Sequence, residues 1–225
     1  MKLLAIDTST ERATVALLAH GEIHKEEQGS LRQHAQFLLT MIERLMAKAA
    51  ISFNELDGVI FGRGPGSFTG LRIACSVAKG LAFAHDLPVY PVSGLSAIAY
   101  DARRNEGEGN ATVLAMIDAR MNQVYWGAFT AASYETEEFV MTATDIQLPI
   151  SDSVILAGVG IEEYSTQFPQ GLQEQIIKKY DISPSAQAMI ELVQKGAVQS
   201  VSAAEALPVY IRNQVTHVAK GESNG

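Results

Sequence analysis

Short apolar runs broken by glycine and polar turns dominate the chain, and only one stretch carries a long helical period. Lys2–Asp7 is an apolar run ending in an acid, the pattern of a buried strand. Thr8-Ser9-Thr10 follows as a polar turn. Arg12–Ala19 and Glu22–Gln28 read as two strands across a tight turn at Gly21. A hairpin directly after the first strand excludes the dinucleotide-binding opening, where a helix comes at once. Leu31–Ala50 is the clear helix, with Ser30 as its expected N-cap. Leu31, Ala35, Leu38, Ile42, Leu45 and Ala49 fall on one line. Leu39, Met41 and Met46 widen the apolar sector to about half the circumference, more than the ~100° stripe one contact uses. This width predicts a second contact, beyond the chain's own sheet.

Leu56–Gly62 reads as a strand, Leu71–Ala84 as a helix, Val89–Val92 as a strand and Ser96–Arg104 as a helix. Ala74, Ala78 and Ala82 recur every four residues, which allows a neighbouring element to approach closely. The polar loop Asn105–Asn110 is the expected boundary between an N-terminal lobe, 1–104, and a C-terminal lobe, 111–225. Beyond it Thr112–Asp118, Gln123–Thr130, Glu138–Thr142 and Val154–Gly160 look like strands, and Ser185–Lys195 like a helix. Both halves open with a strand ending in Asp, at Asp7 and at Asp118, and continue into a second strand. That echo predicts two similarly built α/β lobes. Lys220–Gly225 is expected to be a loose tail.

Composition narrows the function classes. The 225 residues are 47% hydrophobic and 19% charged, enough to bury a core. No apolar run approaches the ~20 residues of a membrane span, and an acid at position 7 comes too early for a signal peptide. A single cysteine, Cys75, excludes an internal disulfide and multi-cysteine metal sites. A protein of the reducing cytoplasm is expected. The net charge is −8, with 11 basic and 12 acidic residues up to Gly109 and 6 against 13 beyond. Such a chain repels phosphate backbones and is not expected to bind nucleic acid unaided. Its five histidines are scattered, and His20 and His24 fall on the hairpin.

Two segments carry candidate chemistry. Asp7-Thr8-Ser9-Thr10 is either a phosphate loop, with the acid holding Mg²⁺ through water, or a turn of self-bonding side chains. Gly62, Gly64, Gly66 and Gly70 lead from a strand into a helix. They serve either an anion at the helix N-terminus or tight packing. The spacing is neither a Walker A loop nor a dinucleotide fingerprint. No nucleophile elbow surrounds Ser67, and Cys75 sits on the alanine-rich face of its helix.

Four segments taken together resemble the TsaB (YeaZ) family. They are Leu4–Thr10, Arg32-x-His34, the block Gly62–Arg72 and Pro208-Val209-Tyr210-Ile211-Arg212. The resemblance runs along the whole chain, and the glycine-rich block is its most specific part. It implies the two-lobed actin-like ATPase fold, ribonuclease H-like in each lobe. It also implies a non-catalytic partner of TsaD in threonylcarbamoyl transfer to the adenosine next to the tRNA anticodon. Implied partners are TsaD, a second copy of the chain and TsaE, with tRNA met only through the complex. No cofactor is expected to bind tightly, only weak ATP or ADP with Mg²⁺ in the complex. No metal is expected: the catalytic relative's His-x-x-x-His pair aligns with Gly94 and Ile98 here, and neither side chain can ligate. The expected subunit interface comprises Leu38, Met41 and Leu45 on one helix and Ala74 and Ala78 on the next. An actin-like ATP-dependent kinase using Asp7 and Asp118, and a glycoprotease-type peptidase, are the rival readings.

Overall fold

The computed structural model describes residues 1–29, 34–107, 109–148 and 153–213. The N-cap expected at Ser30, the start at Leu31, Arg32 and the tail 220–225 lie outside them, as does the side chain of His34. The first sheet comprises β1 (Leu3–Asp7), β2 (Arg12–Ala19), β3 (Glu22–Gly29), β4 (Gly58–Gly64) and β5 (Val89–Ser93). Helix α1 (His34–Ala49) connects β3 to β4, and α2 (Phe68–His85) connects β4 to β5. Helix α3 (Gly94–Glu106) leads into the second sheet, which comprises β6 (Thr112–Arg120), β7 (Gln123–Phe129), β8 (Phe139–Met141), β9 (Val154–Val159) and β10 (Ile176–Asp181). Helices α4 (Ile161–Tyr164) and α5 (Gln170–Gln175) join β9 to β10, and α6 (Ala186–Gln194) follows.

The two sheets repeat one topology. The first has the order β3-β2-β1-β4-β5, with an antiparallel β1–β2–β3 meander and parallel β1–β4–β5. The second runs β8-β7-β6-β9-β10, again antiparallel on the hairpin side and parallel on the other. This is the ribonuclease H-like order in tandem, the two-lobed actin-like fold. It explains why two strands ending in Asp echo each other: β1 and β6 occupy equivalent central positions.

Alternation along β1 shows how burial on both faces shapes the sequence. Leu4 and Ile6 pack with α1 and α2, while Leu3 and Ala5 face α6. All five residues are buried, so the strand reads as one apolar run. Edge strand β3 instead carries Lys25, Glu26 and Glu27, which discourage further pairing. Helix α2 begins earlier than expected because Ser67 caps it, its Oγ accepting from Gly70 N at 3.4 Å. It ends at Asp86, in the left-handed conformation with φ 51°.

The boundary at 105–110 does not follow the packing. Leu95, Ile98, Ala99 and Ala102 of α3 share a core with Val113, Ala115, Phe129 and Ile155 of the second sheet. Conversely Met189, Ile190 and Leu192 of α6 pack on Leu3, Ala5, Leu18 and Ile60 of the first. The chain then stays with the first sheet: Val201 exchanges backbone hydrogen bonds with Val89, at 3.0 and 2.8 Å. Lys79 Nζ donates to the carbonyls of Ala204 and Ala206, each at 3.1 Å. The polar loop marks a surface turn, and a helix amphipathic on two sides can serve the lobe its sequence neighbours do not. Among the described residues no helix is long and apolar enough to cross a membrane.

Candidate functional site

A cleft of about 690 Å³ opens between the lobes. The β1–β2 turn contributes Ser9, Thr10 and Glu11, and the glycine-rich segment contributes Pro65–Phe68. The β6–β7 turn adds Asp118–Met121, the β9–α4 turn adds Gly160, and residues 209–212 run along one wall. Two of the four expected phosphate-loop residues, Ser9 and Thr10, therefore line the cleft. The other two do not.

Asp7 and Thr8 are fully buried because the glycine-rich segment closes on them backbone to backbone. Thr8 Oγ1 donates to Gly70 O at 2.7 Å, and Ser67 N donates to Ser9 O at 2.7 Å. At Gly70 a Cβ would fall 1.8 Å from Thr8 O, and at Gly62 another would fall 1.8 Å from Asp7 Oδ2. Both positions require glycine for close approach, not for a ligand. Gly66 lies against Ser9, and Gly64 against the carbonyl of Val209. Of the two readings of the glycine block, packing accounts for all four residues.

Asp7 Oδ1 accepts from Ser9 N at 3.0 Å and Ser9 Oγ at 2.8 Å, while Oδ2 has no hydrogen-bond partner among the described residues. Burial raises this carboxyl from its ordinary 3.8 to about 6, against the lowering effect of the Ser9 bonds. Asp118, the second acid of the kinase reading, does line the cleft but is engaged. Its Oδ1 accepts from Arg120 N and Tyr164 Oη, each at 2.8 Å, and Arg120 pairs with Oδ2 at 3.1 Å. Burial and the adjacent Asp118 push the Tyr164 phenol up to about 12.

The C-terminal motif straps the lobes together. Val209 N donates to Arg63 O at 2.7 Å on the first sheet. Three residues on, Arg212 Nη2 donates to Ala119 O at 2.6 Å at the end of β6, where the β6–β7 turn begins. That turn holds Arg120, Met121 and Asn122 in left-handed conformations, with φ of 63°, 57° and 58°. Arg120 also reaches Glu11 across the cleft at 3.2 Å. Beside the strap, Arg72 stacks over the Phe68 ring at 3.9 Å, and its Nε donates to Tyr210 Oη at 3.3 Å. Behind it, Glu138 of the β7–β8 connection accepts from Arg63 Nη2 at 3.1 Å and from Ser93 Oγ. The sequence alone does not single out Arg120 or Glu138, and it has Arg212 only as the last residue of a motif, with no role. The strand ending at Asp118 before a polar turn is the signal for Arg120, and the motif Pro208–Arg212 is the signal for Arg212.

Gly94 and Ile98, the two positions that the resemblance sets against a histidine pair, lie in apolar packing. Gly94 faces Pro184 and Ile117, and Ile98 is buried in the core between α3 and the second sheet. Among the described residues no group of three or more His, Cys, Asp or Glu is placed to hold a metal.

The expected interface residues are corrected by their burial. Leu38, Met41, Leu45, Ala74 and Ala78 are each 0–1% exposed, in the chain's own core. Leu38, Met41, Ile42, Leu45, Met46 and Ala49 of the wide apolar sector of α1 pack in the core that α1 shares with the first sheet and α2. What α2 turns outward is Ser76, Gly80, Ala84 and Phe83, the last 85% exposed, while α1 exposes Leu39 at 52%. A Cβ at Gly80 would meet nothing within 4 Å.

Tandem sheets of this order define a two-lobed protein of the actin-like class, its cleft closed beneath by a glycine-rich segment and strapped by the chain's end. A family model described as "TsaD: tRNA N6-adenosine threonylcarbamoyltransferase" matches residues 17–219. The chain is 38% identical to "tRNA threonylcarbamoyladenosine biosynthesis protein TsaB" of Haemophilus influenzae, over 96% of this chain and 95% of that protein. It is 41% identical to the Escherichia coli protein of the same description, over 61% and 57%. The solved structure "YeaZ from Pseudomonas aeruginosa" superposes with a TM-score of 0.82 at 37% identity, covering 93% of this chain and 99% of that one. The chain belongs to the TsaB (YeaZ) family.

Proposed function

We propose that the chain is the non-catalytic partner of a TsaD-type threonylcarbamoyltransferase, acting in the modification of the adenosine next to the tRNA anticodon. The observation that carries this is the contrast between a spent cleft and an open helical face. Asp7 is sealed beneath Gly62, out of the cleft, and Asp118 in the cleft is held by Arg120 and Tyr164. Catalysis needs groups aimed at the developing charge, and engaged or buried carboxylates do not supply them. On α2, by contrast, a large aromatic is left wet beside a glycine that the fold itself does not require. A mid-helix glycine costs about 1 kcal/mol relative to alanine, and a stripe of small residues lets a partner helix approach closely. The partner surface is therefore the outer face of α2 with Leu39 of α1.

In this reading the same face forms a homodimer when TsaD is absent and the heterodimer when it is present. TsaE joins the pair, and threonylcarbamoyl-adenylate made by another enzyme supplies the group transferred. Nucleotide binding by this chain alone is weak, no metal is held, and the complex works in the cytoplasm. Burial of Asp7 argues against the kinase alternative. Sedimentation with and without the partner tests the proposal. Gly80→Leu and Phe83→Asp should give a folded monomer that no longer joins TsaD. Unimpaired assembly of both variants would overturn it.

A further inference from the structure

A second cavity, of about 590 Å³, lies away from the cleft, where the end of α3 meets the β7–β8 connection and the residue after α6. Its size is within the roughly 300–1,000 Å³ of small-ligand sites. The wall is aromatic and cationic. The rings of Tyr100 and Tyr134 stand 5.5 Å apart, and Lys195 Nζ lies 5.9 Å from the Tyr100 ring centroid. Tyr134 is fixed by Ser96 Oγ, which donates to its carbonyl at 2.7 Å. Arg103 is half-buried, one nitrogen donating to Phe129 O at 2.7 Å, and its buried Nε has no partner among the described residues. Arg104 is already spent on Asp101 and Glu191, at 2.6 and 3.1 Å. Among the described residues no carboxylate within salt-bridge distance accompanies Arg103 or Lys195. Glu191 stands beside the Tyr100 hydroxyl and is paired with Arg104, which leaves Arg103 and Lys195 as the cations of this wall on a chain of net charge −8.

We propose that this pocket holds one unpaired nucleotide, its base on the tyrosine rings and its phosphate on Arg103 and Lys195. Any base has a face that stacks on an aromatic ring, and phosphate is the anion a guanidinium and an ammonium can share. The Asn110 amide at the rim can meet a base edge. The choice of an RNA strand as the source rests on the tRNA-modification reading above; the chemistry is the same for a free nucleotide. The pocket gives an acidic chain one point of contact with RNA, held by two ionic contacts and not by a basic surface.

The test uses the full chain and a fluorescent pentaadenylate RNA, read by anisotropy at low salt, with AMP and inorganic phosphate as competitors. Saturable binding is expected, weakened about tenfold by Tyr134→Ala. Lys195→Glu should weaken it further. The slope of log affinity against log salt should be about −0.7, for the one phosphate that the two cations share. A strand that binds more tightly than AMP identifies RNA as the source, and equal binding identifies the free nucleotide. Inorganic phosphate competing as well as AMP would overturn the stacking role and with it the proposal. So would absent binding, or binding unchanged by both variants in protein of wild-type thermal stability. Loss of this site with intact TsaD assembly would leave the proposed function standing.

Discussion

Replacing Asp7 by Asn should stabilise the protein at neutral pH, because the carboxylate is buried with one oxygen unpaired among the described residues. Its folded-state value of about 6 exceeds the ordinary 3.8. The folded chain therefore binds this proton more tightly than the unfolded chain, and stability falls as pH rises from about 4 to about 6. Two pKa units correspond to about 3 kcal/mol, present as stabilisation below that window and lost above it. Asparagine keeps an oxygen for Ser9 N and Ser9 Oγ and removes the charge. It leaves an amide nitrogen poorly satisfied near Gly62, which returns about 1–2 kcal/mol of the gain. The variant should thus be about 1–2 kcal/mol more stable at neutral pH, a rise of roughly 2–8 °C in Tm for a chain of this size. Thermal melts of both proteins across the pH range are the assay. The difference between them should shrink or reverse below about pH 4.5 as wild-type Asp7 takes up its proton. An Asn variant less stable at neutral pH, or a difference that does not change with pH, would refute the burial argument.

Two further outcomes follow from packing. Gly70→Ala places a methyl 1.8 Å from a backbone oxygen and should lower stability by several kcal/mol, seen as a fall of Tm beyond 6 °C; a variant melting within a degree of wild type would contradict the tight contact with Thr8. Met41→Glu should abolish folded protein and not merely dissociate a dimer, since Met41 is 0% exposed; a soluble, folded monomer by circular dichroism and sedimentation would restore Met41 to the surface.

The fold was legible in the sequence where burial is two-sided or strictly alternating. β1 and β6 read as apolar runs, and their shared terminal Asp disclosed the repeat. Strand β10 and helices α4 and α5 were not, because Ile176-Ile177-Lys178-Lys179-Tyr180-Asp181 is a charged edge strand and the two helices are too short to show a period. The positions of α3 and α6 in each other's lobes could not be read either, since linear order says nothing about which sheet an apolar face will meet. The site was half legible. The glycine block stood out by composition, but composition cannot separate a phosphate cradle from a segment packed on its neighbour's carbonyls. Both helices are legible in the sequence, but the faces they leave open are not: an apolar sector half a turn wide is equally suited to two contacts within one chain.

The most direct test is reconstituted threonylcarbamoyl transfer to tRNA, with TsaD and TsaE present and this chain supplied as wild type, Asp7→Asn or Phe83→Asp. The account predicts that Asp7→Asn supports full modification, because the carboxylate sealed under Gly62 takes no part in the chemistry, whereas Phe83→Asp supports none, because the complex no longer forms. Modification lost in Asp7→Asn with the complex intact, or retained in full by Phe83→Asp, would contradict it.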